Sequence, residues 1–336
     1  MKAVVTGANG FIGSYLCKCL INKGLEVHAM VRKTSDLSLL KDINPGLDGI
    51  ALEYGDVTDI DSLKKIFAGM DVVFNTAGVL KGFKQEDFDH VNVDGYKNVC
   101  EALLDVNPRL QRLVMFSSMA AAGPSPPGRP VQEDDEPRPL EGDLYGTSKW
   151  KMERAIKPYM DKLPITIVRP AMVFGGGDVP SFDLFKSVKA GIKLIVTREE
   201  KLYSFIDVRD LCEGVYLAAT RPEAIGQVFF FGMEDPVDWG VAQDILAKKV
   251  FNRQKPLRTL VMSPRSAIFF ANLMEFFGKI TGKTPFLNKS KMIEGSAPGW
   301  NVSSEKAKKL LGWRPQISFE SMLQDAAKWY KDHGWL

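Results

Sequence analysis

Histidine is scarce in this chain, with three in 336 residues, and the only cysteines are Cys17, Cys19, Cys100 and Cys212. No Cys-x-x-Cys pair and no His-rich neighbourhood occurs, which argues against a metal centre and against a disulfide framework. The thiols read as reduced packing residues, suited to a reducing compartment. Neither sign of charge dominates: 44 Lys and Arg stand against 41 Asp and Glu, which offers no basic field for a nucleic-acid partner. An uninterrupted apolar run of about 18 residues is missing, so no integral membrane segment is expected. The chain opens Met1-Lys2-Ala3-Val4-Val5-Thr6-Gly7, a buried strand with no room for a signal peptide before it, and a cytoplasmic location is the expectation. Internal repeats and low-complexity tracts are absent as well.

What is present is a hydrophobic content of 45%, enough for a sizeable core. Apolar runs at Ala3–Thr6, Glu26–Val31, Ile50–Tyr54, Asp71–Asn75, Leu113–Ser117 and Ile165–Val168 alternate with segments of helical length and period. That alternation predicts an α/β fold with a doubly wound, parallel Rossmann sheet. The six prolines of Gly123–Asp143 exclude helix or central strand there and predict a long surface loop. Beyond Gly175 the pattern is irregular, until Asp210–Ala219 reads as a helix and Gly226–Phe231 as a strand that rejoins the sheet edge. The expected organisation is a dinucleotide-binding domain over 1–174 with 204–232 returning to it, and a smaller, interleaved substrate-binding region over 175–203 and 233–336.

Thr6-Gly7-Ala8-Asn9-Gly10-Phe11-Ile12-Gly13 follows the first strand and opens a helix. Glycines at Gly7, Gly10 and Gly13 let the main chain turn tightly beside a pyrophosphate, with Asn9, Phe11 and Ile12 completing the loop and free N–H groups facing the anion. At the end of the second strand, where an acid would select the ribose hydroxyls of NAD, Val31 is followed by Arg32, Lys33, Thr34 and Ser35. Those donors suit a 2′-phosphate, so the expected cofactor is NADP, with NAD as the alternative and Arg32 as the selecting residue. Asp56-Val57 and Ala77-Gly78 end the third and fourth strands at the carboxyl edge, where Asp56 is placed to accept from an adenine amino group and Ala77 and Gly78 keep side chains clear of the cofactor.

The fifth strand leads to Ser117 and Ser118, and the Pro-rich loop then delivers Tyr145-Gly146-Thr147-Ser148-Lys149 at a helix start. One helical turn separates Tyr145 from Lys149, so the two share a face. A phenol alone titrates near 10, and an adjacent ammonium is expected to bring it toward the range where general acid–base transfer works. A serine at 117 or 118 would hold the substrate oxygen.

Taken in order, Thr6–Gly13, Asp56-Val57, Asn92-Val93-Asp94-Gly95, Ser117-Ser118, Tyr145–Lys149 and Arg169-Pro170-Ala171-Met172-Val173-Phe174-Gly175 resemble the motifs of the extended short-chain dehydrogenases/reductases. The likeness spans nearly the whole chain and ends in Ser303–Pro315. It implies that Tyr145 is the acid/base, that Lys149 also binds the nicotinamide ribose, and that Ser118, not Ser117, is the catalytic serine. Pro170, Ala171 and Val173 would lie against the nicotinamide. A homodimer through the Asp94–Leu104 and Ser148–Met160 helices is expected on the same ground.

Departures from the pattern narrow the branch. Met119-Ala120-Ala121 stands where nucleotide-sugar dehydratases carry Thr-Asp-Glu. Tyr203 occupies the place of the arginine that meets a sugar-nucleotide diphosphate in epimerases. Ala122 replaces a tyrosine and Met172 an asparagine. A substrate less polar than a nucleotide sugar is therefore expected. The end of the second strand is similar to that of the family's NADP-using reductases such as dihydroflavonol reductase, and 3β-hydroxysteroid dehydrogenase-like members and hopanoid-associated sugar epimerases are further relatives by resemblance. The reading is a ketone/secondary-alcohol oxidoreductase on a hydrophobic or moderately polar small molecule. Its alternatives are a nucleotide-sugar epimerase with bound NAD(P) and a non-catalytic NADP-binding sensor. Finally, Phe269, Leu273, Phe276, Phe277 and Ile280 recur at helical spacing, flanked by Lys279, Lys283, Lys289 and Lys291. They read as a helix over the cleft or core, or as a face for peripheral membrane contact.

Overall fold

The computed structural model describes residues 1–197, 199–263, 266, 269 and 289–336. Strands β1 (Lys2–Thr6), β2 (Glu26–Val31), β3 (Ile50–Tyr54), β4 (Val72–Asn75), β5 (Arg112–Phe116) and β6 (Ile165–Pro170) form one parallel sheet. After β7 (Met172–Phe174), β8 (Ile192–Val196), β9 (Leu202–Tyr203) and β10 (Phe205–Asp207), strand β11 (Val228–Phe231) pairs with β6 at the edge. The spatial order is β11-β6-β5-β4-β1-β2-β3, so the chain reverses direction between β1 and β4. A cleft opens at the carboxyl ends of the strands beside such a switch point.

Side-chain alternation along each strand feeds two cores. In β1, Ala3 and Val5 join the cluster that holds α1 (Phe11–Asn22) and the later helix Val208–Thr220, while Val4 joins the opposite cluster with the helices Ile60–Phe67, Gly95–Val106 and Leu144–Ile156. Cys17 and Cys212 pack in the first core and Cys100 in the second; all four cysteines are free thiols. A third, aromatic-rich cluster gathers Phe174, Phe185, Tyr203, Phe205, Trp300, Phe319 and Tyr330 beyond the sheet edge. Two short ribbons stand over the cleft there, β8 paired with β13 (Arg258–Met262) and β9 paired with β12 (Val237–Asp238).

The Pro-rich segment is indeed devoid of long regular elements, and it is pinned down, with Ser125 N donating to Gly299 O, Val131 bridging Val302, and Glu133 accepting from Phe230 N of β11 at 2.8 Å. Strand ends differ from the sequence reading by a residue or two: β5 runs Arg112–Phe116 and β6 extends through Pro170. Among the described residues no helix is long and apolar enough to cross a membrane. The apolar and basic pattern expected over 266–291 lies outside the described side chains, apart from Ser266 and the exposed Phe269.

Candidate active site

The loop after β1 is shaped by backbone crowding. Gly7 has φ +63°, and a Cβ there would stand 2.9 Å from the Ala77 Cα; a Cβ at Gly13 would stand 2.4 Å from the Gly7 carbonyl oxygen. Both positions therefore exclude side chains. Gly10, the residue before α1, makes no side-chain cap, and no acid occupies the first turn, so the helix N-terminus keeps free N–H groups and a positive field. A groove closed to side chains and lined by free donors fits a pyrophosphate.

At the end of β2, Val31 is buried and Arg32 is exposed. Arg32 and Ser35 close a turn on each other: Arg32 N donates to Ser35 Oγ at 3.0 Å and Ser35 N to Arg32 O at 2.9 Å. Among the described residues the Arg32 guanidinium has no acidic partner, and Asn9 Nδ2 ties the glycine loop to this turn through Asp36 O. Asp56 Oδ1 accepts from Thr58 N and Oγ1, so the Thr58 turn holds that carboxylate in place.

Tyr145 and Lys149, the residues expected to handle the proton, sit on α2 (Leu144–Ile156), whose first turn Asp143 caps by accepting from Gly146 N. Lys149 Nζ donates to Phe116 O at 2.8 Å and to Tyr96 Oη at 3.1 Å. Ser118, at the start of the single turn Met119–Ala122, accepts from Ala120 N and lies within hydrogen-bonding reach of the Tyr145 hydroxyl. Ser117 has different work: its Oγ donates to Glu153 Oε1 at 2.5 Å, and the same carboxylate receives Arg169 through Nε at 2.8 Å and Nη2 at 2.5 Å. That nearly dry network fastens α2 to β6 beneath the cleft. The structure therefore separates two adjacent serines that the Ser-Ser motif alone leaves equivalent.

The expected acidification of Tyr145 by Lys149 does not appear. Burial pushes the Tyr145 phenol well above its ordinary range, and the Ser118 hydrogen bond offsets this only in part. Burial also draws the Lys149 ammonium from 10.5 down to about 7, against which the negative charge of Glu153 acts. Dehydration is the largest cause for both groups in this dry floor, because each group's charged form loses its water.

Tyr96, Asn92 and Glu153 were not singled out by the sequence. Asn92 lies in a π-helical turn, His90–Asp94, with its side chain bridging Val79 N and O to Ser148 Oγ. The Asn92–Gly95 motif marked the segment, but nothing local told which side chain turns inward.

All the residues expected to serve the cofactor or the proton line one cleft of about 2880 Å³: Gly7, Asn9, Gly10, Phe11, Ile12, Gly13, Arg32, Asp56, Val57, Ala77, Gly78, Ser118, Tyr145, Lys149, Pro170 and Val173. A pocket for one drug-sized molecule is roughly 300–1,000 Å³, so there is space for a dinucleotide and a second molecule together. At the far end Met172, Tyr203, Trp239 and Trp300 form the wall, with Tyr203 tilted onto Trp239 at 5.4 Å between centroids. Tyr203 and Met172 thus face the cleft as the departures from the epimerase pattern suggested. Ala122 does not; it is packed in the first core and says nothing about the substrate.

A doubly wound sheet, a side-chain-free phosphate loop and a serine, tyrosine and lysine on one cleft floor define an NAD(P)-dependent oxidoreductase of the short-chain dehydrogenase/reductase class, extended type. Residues 3–232 match the model of the NAD dependent epimerase/dehydratase family, and the chain belongs to that family. It is 29% identical over 257 residues to a 3 beta-hydroxysteroid dehydrogenase/Delta 5-->4-isomerase of Mycobacterium tuberculosis, covering 70% of this chain and 66% of that protein. It is 28% identical over 244 residues to a 4-hydroxy-2-methyl-3-oxo-4-farnesyl-3,4-dihydroquinoline-1-oxide ketoreductase of Stigmatella aurantiaca, covering 71% and 70%. The UDP-glucuronic acid 4-epimerase of Bacillus cereus, solved in complex with NAD, shares the fold with a TM-score of 0.77 at 21% identity, covering 99% of this chain and 97% of that one.

Proposed function

We propose that this protein is an NADP-dependent reductase that interconverts a ketone and a secondary alcohol on a hydrophobic or moderately polar small molecule. One observation carries the reading: Ser118, Tyr145 and Lys149 share a cleft whose far wall is aromatic, and Arg32 is its only lining arginine among the described residues. The names of the two relatives, a hydroxysteroid dehydrogenase and a reductase of a farnesyl-bearing ketone, support an apolar substrate.

The glycine loop fits a pyrophosphate, Arg32 a 2′-phosphate, and Asp56 and Val57 an adenine; Ala77 and Gly78 leave the diphosphate and ribose unobstructed, and Pro170 and Val173 flank the nicotinamide position. When bound, the dinucleotide supplies or accepts the hydride at the substrate carbon. The chain's own contribution is the proton and its placement. Ser118 donates to the substrate oxygen, and Tyr145 transfers its proton to that oxygen as the carbonyl is reduced. The Lys149 ammonium stabilises the phenolate left behind. A phenol held protonated by burial suits the reductive direction.

Fluorescence titration with NADPH and NADH, followed by a screen of apolar ketones and nucleotide sugars, tests the reading. NADPH binding at least about tenfold tighter, near 1.4 kcal/mol, together with turnover of apolar ketones is the expected result. Equal binding of NADH and no ketone turnover would overturn it.

A second reading, a nucleotide-sugar epimerase, is favoured by Lys201. This lysine lines the cleft, is 6% exposed, and among the described residues its Nζ is held by Gly295 O alone, at 2.7 Å, which leaves donors for an anionic group. Cofactor retained through purification, with no net NADPH consumption, would select that reading.

A further inference from the structure

We infer that Tyr96 is a positioning residue for Lys149: its phenol oxygen holds the ammonium against the inner wall of the cleft and closes that side of the Tyr145–Lys149 pair to water. The inference rests on the roles proposed above for Tyr145 and Lys149.

Tyr96 opens the helix Gly95–Val106, directly after the π-helical turn, and is 0% exposed. Its hydroxyl donates to Phe116 O at 2.8 Å, with Asn75 O at 3.2 Å as the alternative acceptor, and its oxygen accepts from Lys149 Nζ at 3.1 Å. Phe116 O takes a second ammonium proton at 2.8 Å. An ammonium has three donors, so one remains for the cleft, where Gly78 leaves space: a Cβ there would stand 3.4 Å from Nζ. The ammonium is thus fixed by two oxygens behind it and open in front.

The other groups facing Lys149 cannot replace this seat. Tyr145, on the same helix, is neutral at ordinary pH. Glu153, one turn further along, favours the charged lysine, but its carboxylate is already shared by Ser117 and by Arg169 of β6. With phenylalanine at 96 the buried ammonium would keep a single protein acceptor. The phenol also leads nowhere. Both of its acceptors are backbone carbonyls, which cannot relay a proton, and burial raises the Tyr96 phenol well above its ordinary range. The proton that Tyr145 gives up in each turnover therefore returns through the open cleft.

The test uses full-length protein with 15N-labelled lysine, observing the Nζ ammonium by heteronuclear NMR and assigning Lys149 from the signal lost in Lys149→Met. In wild type, the Lys149 ammonium protons are expected to exchange with water far more slowly than those of surface lysines. In Tyr96→Phe, which keeps the ring and its packing, the Lys149 titration midpoint should fall by about one pH unit, a tenfold loss of proton affinity. NADPH affinity should stay within about threefold, while kcat falls about tenfold and its pH profile moves with the NMR midpoint. An unchanged midpoint at unchanged thermal stability overturns the inference. If Tyr96→Phe does not fold, wild-type exchange as fast as at the surface overturns it alone. Absence of turnover with any ketone, alongside a shifted midpoint, would sink the reductase reading and leave this one standing.

Discussion

The two ends of the cleft are built differently. The end proposed to hold the cofactor is assembled from turns that follow consecutive strands, so Gly7, Arg32, Asp56 and Ala77 each lie within a few residues of β1, β2, β3 or β4. Its shape is set by backbone, through positions such as Gly13 where no side chain fits. The end proposed for the substrate draws on Met172, Tyr203, Trp239, Leu260, Met292 and Trp300, which belong to separate elements, and its shape is set by side chains packed on an aromatic cluster. A backbone-built groove tolerates little change, whereas a side-chain wall can be re-cut. Ser118, Tyr145 and Lys149 lie on the seam and should respond as neither end does.

The largest expected effect is at that seam. Tyr145→Phe should lower kcat by about 10³-fold or more, since it removes the proposed proton donor, yet leave the NADPH dissociation constant within about twofold. Steady-state kinetics beside fluorescence titration measures both. A parallel loss of cofactor binding would mean that the phenol belongs to the groove and that the seam is not distinct.

Lys149 gives the seam a signature in stability. Unfolded, it titrates near 10.5; folded, near 7. Between those values the unfolded chain binds the additional proton, so this group makes the protein more stable as pH rises from about 7 to 10.5, and costs most below 7. Lys149→Met should therefore stabilise the cofactor-free protein by on the order of 3 kcal/mol near pH 6.5, with the gain shrinking toward pH 10. Chemical denaturation at several pH values reads this out. A pH-independent difference would show that Lys149 is not held in a dry site.

The groove comes next. A Cβ at Gly13 would press on the Gly7 carbonyl and the Ala8 Cα, both backbone, so Gly13→Ala should weaken NADPH binding about 100-fold, near 2.7 kcal/mol. Trp239→Ala, at the other end, should raise the substrate KM several-fold while cofactor affinity holds. If Trp239→Ala weakens NADPH as much as Gly13→Ala does, the two ends are one structural unit and the contrast fails.

The same contrast explains how much was legible in the sequence. β2 and β3 were bounded to the residue, and the phosphate loop was placed, because strand, turn and helix follow each other within a dozen residues and their signals are local. The far wall was legible only as departures from a family pattern. Tyr203 was informative and Ala122 was not, because whether a position faces the cleft or the core is decided by long-range packing. Tyr96 and Glu153 escaped for a related reason: a tyrosine after Gly95 and a glutamate one turn past Lys149 are ordinary until the fold sets them beside the ammonium and Arg169. The ordering of the pair by dehydration was equally invisible, since spacing shows proximity and not the loss of water.

Arg32 sharpens the comparison most finely, because it is the one side chain of the cofactor end on which a choice of ligand is expected to rest. It is exposed, it has no acidic partner among the described residues, and the turn it closes with Ser35 fixes its backbone through main-chain and hydroxyl contacts that substitution of the guanidinium would leave intact. Arg32→Ala should then cost NADPH about tenfold in affinity, the upper part of what one solvated, charge-assisted contact to a phosphate supplies, and leave NADH unchanged. The loss should diminish as salt rises from about 50 to 500 mM, since the Debye length shortens from roughly 14 to 4 Å over that range. Equal losses for both nucleotides would mean that the variant had disturbed the turn and not the recognition of a 2′-phosphate. No loss for either would leave Arg32 as a solvated charge, and the selection between the two cofactors would then have to be sought in the backbone of the groove.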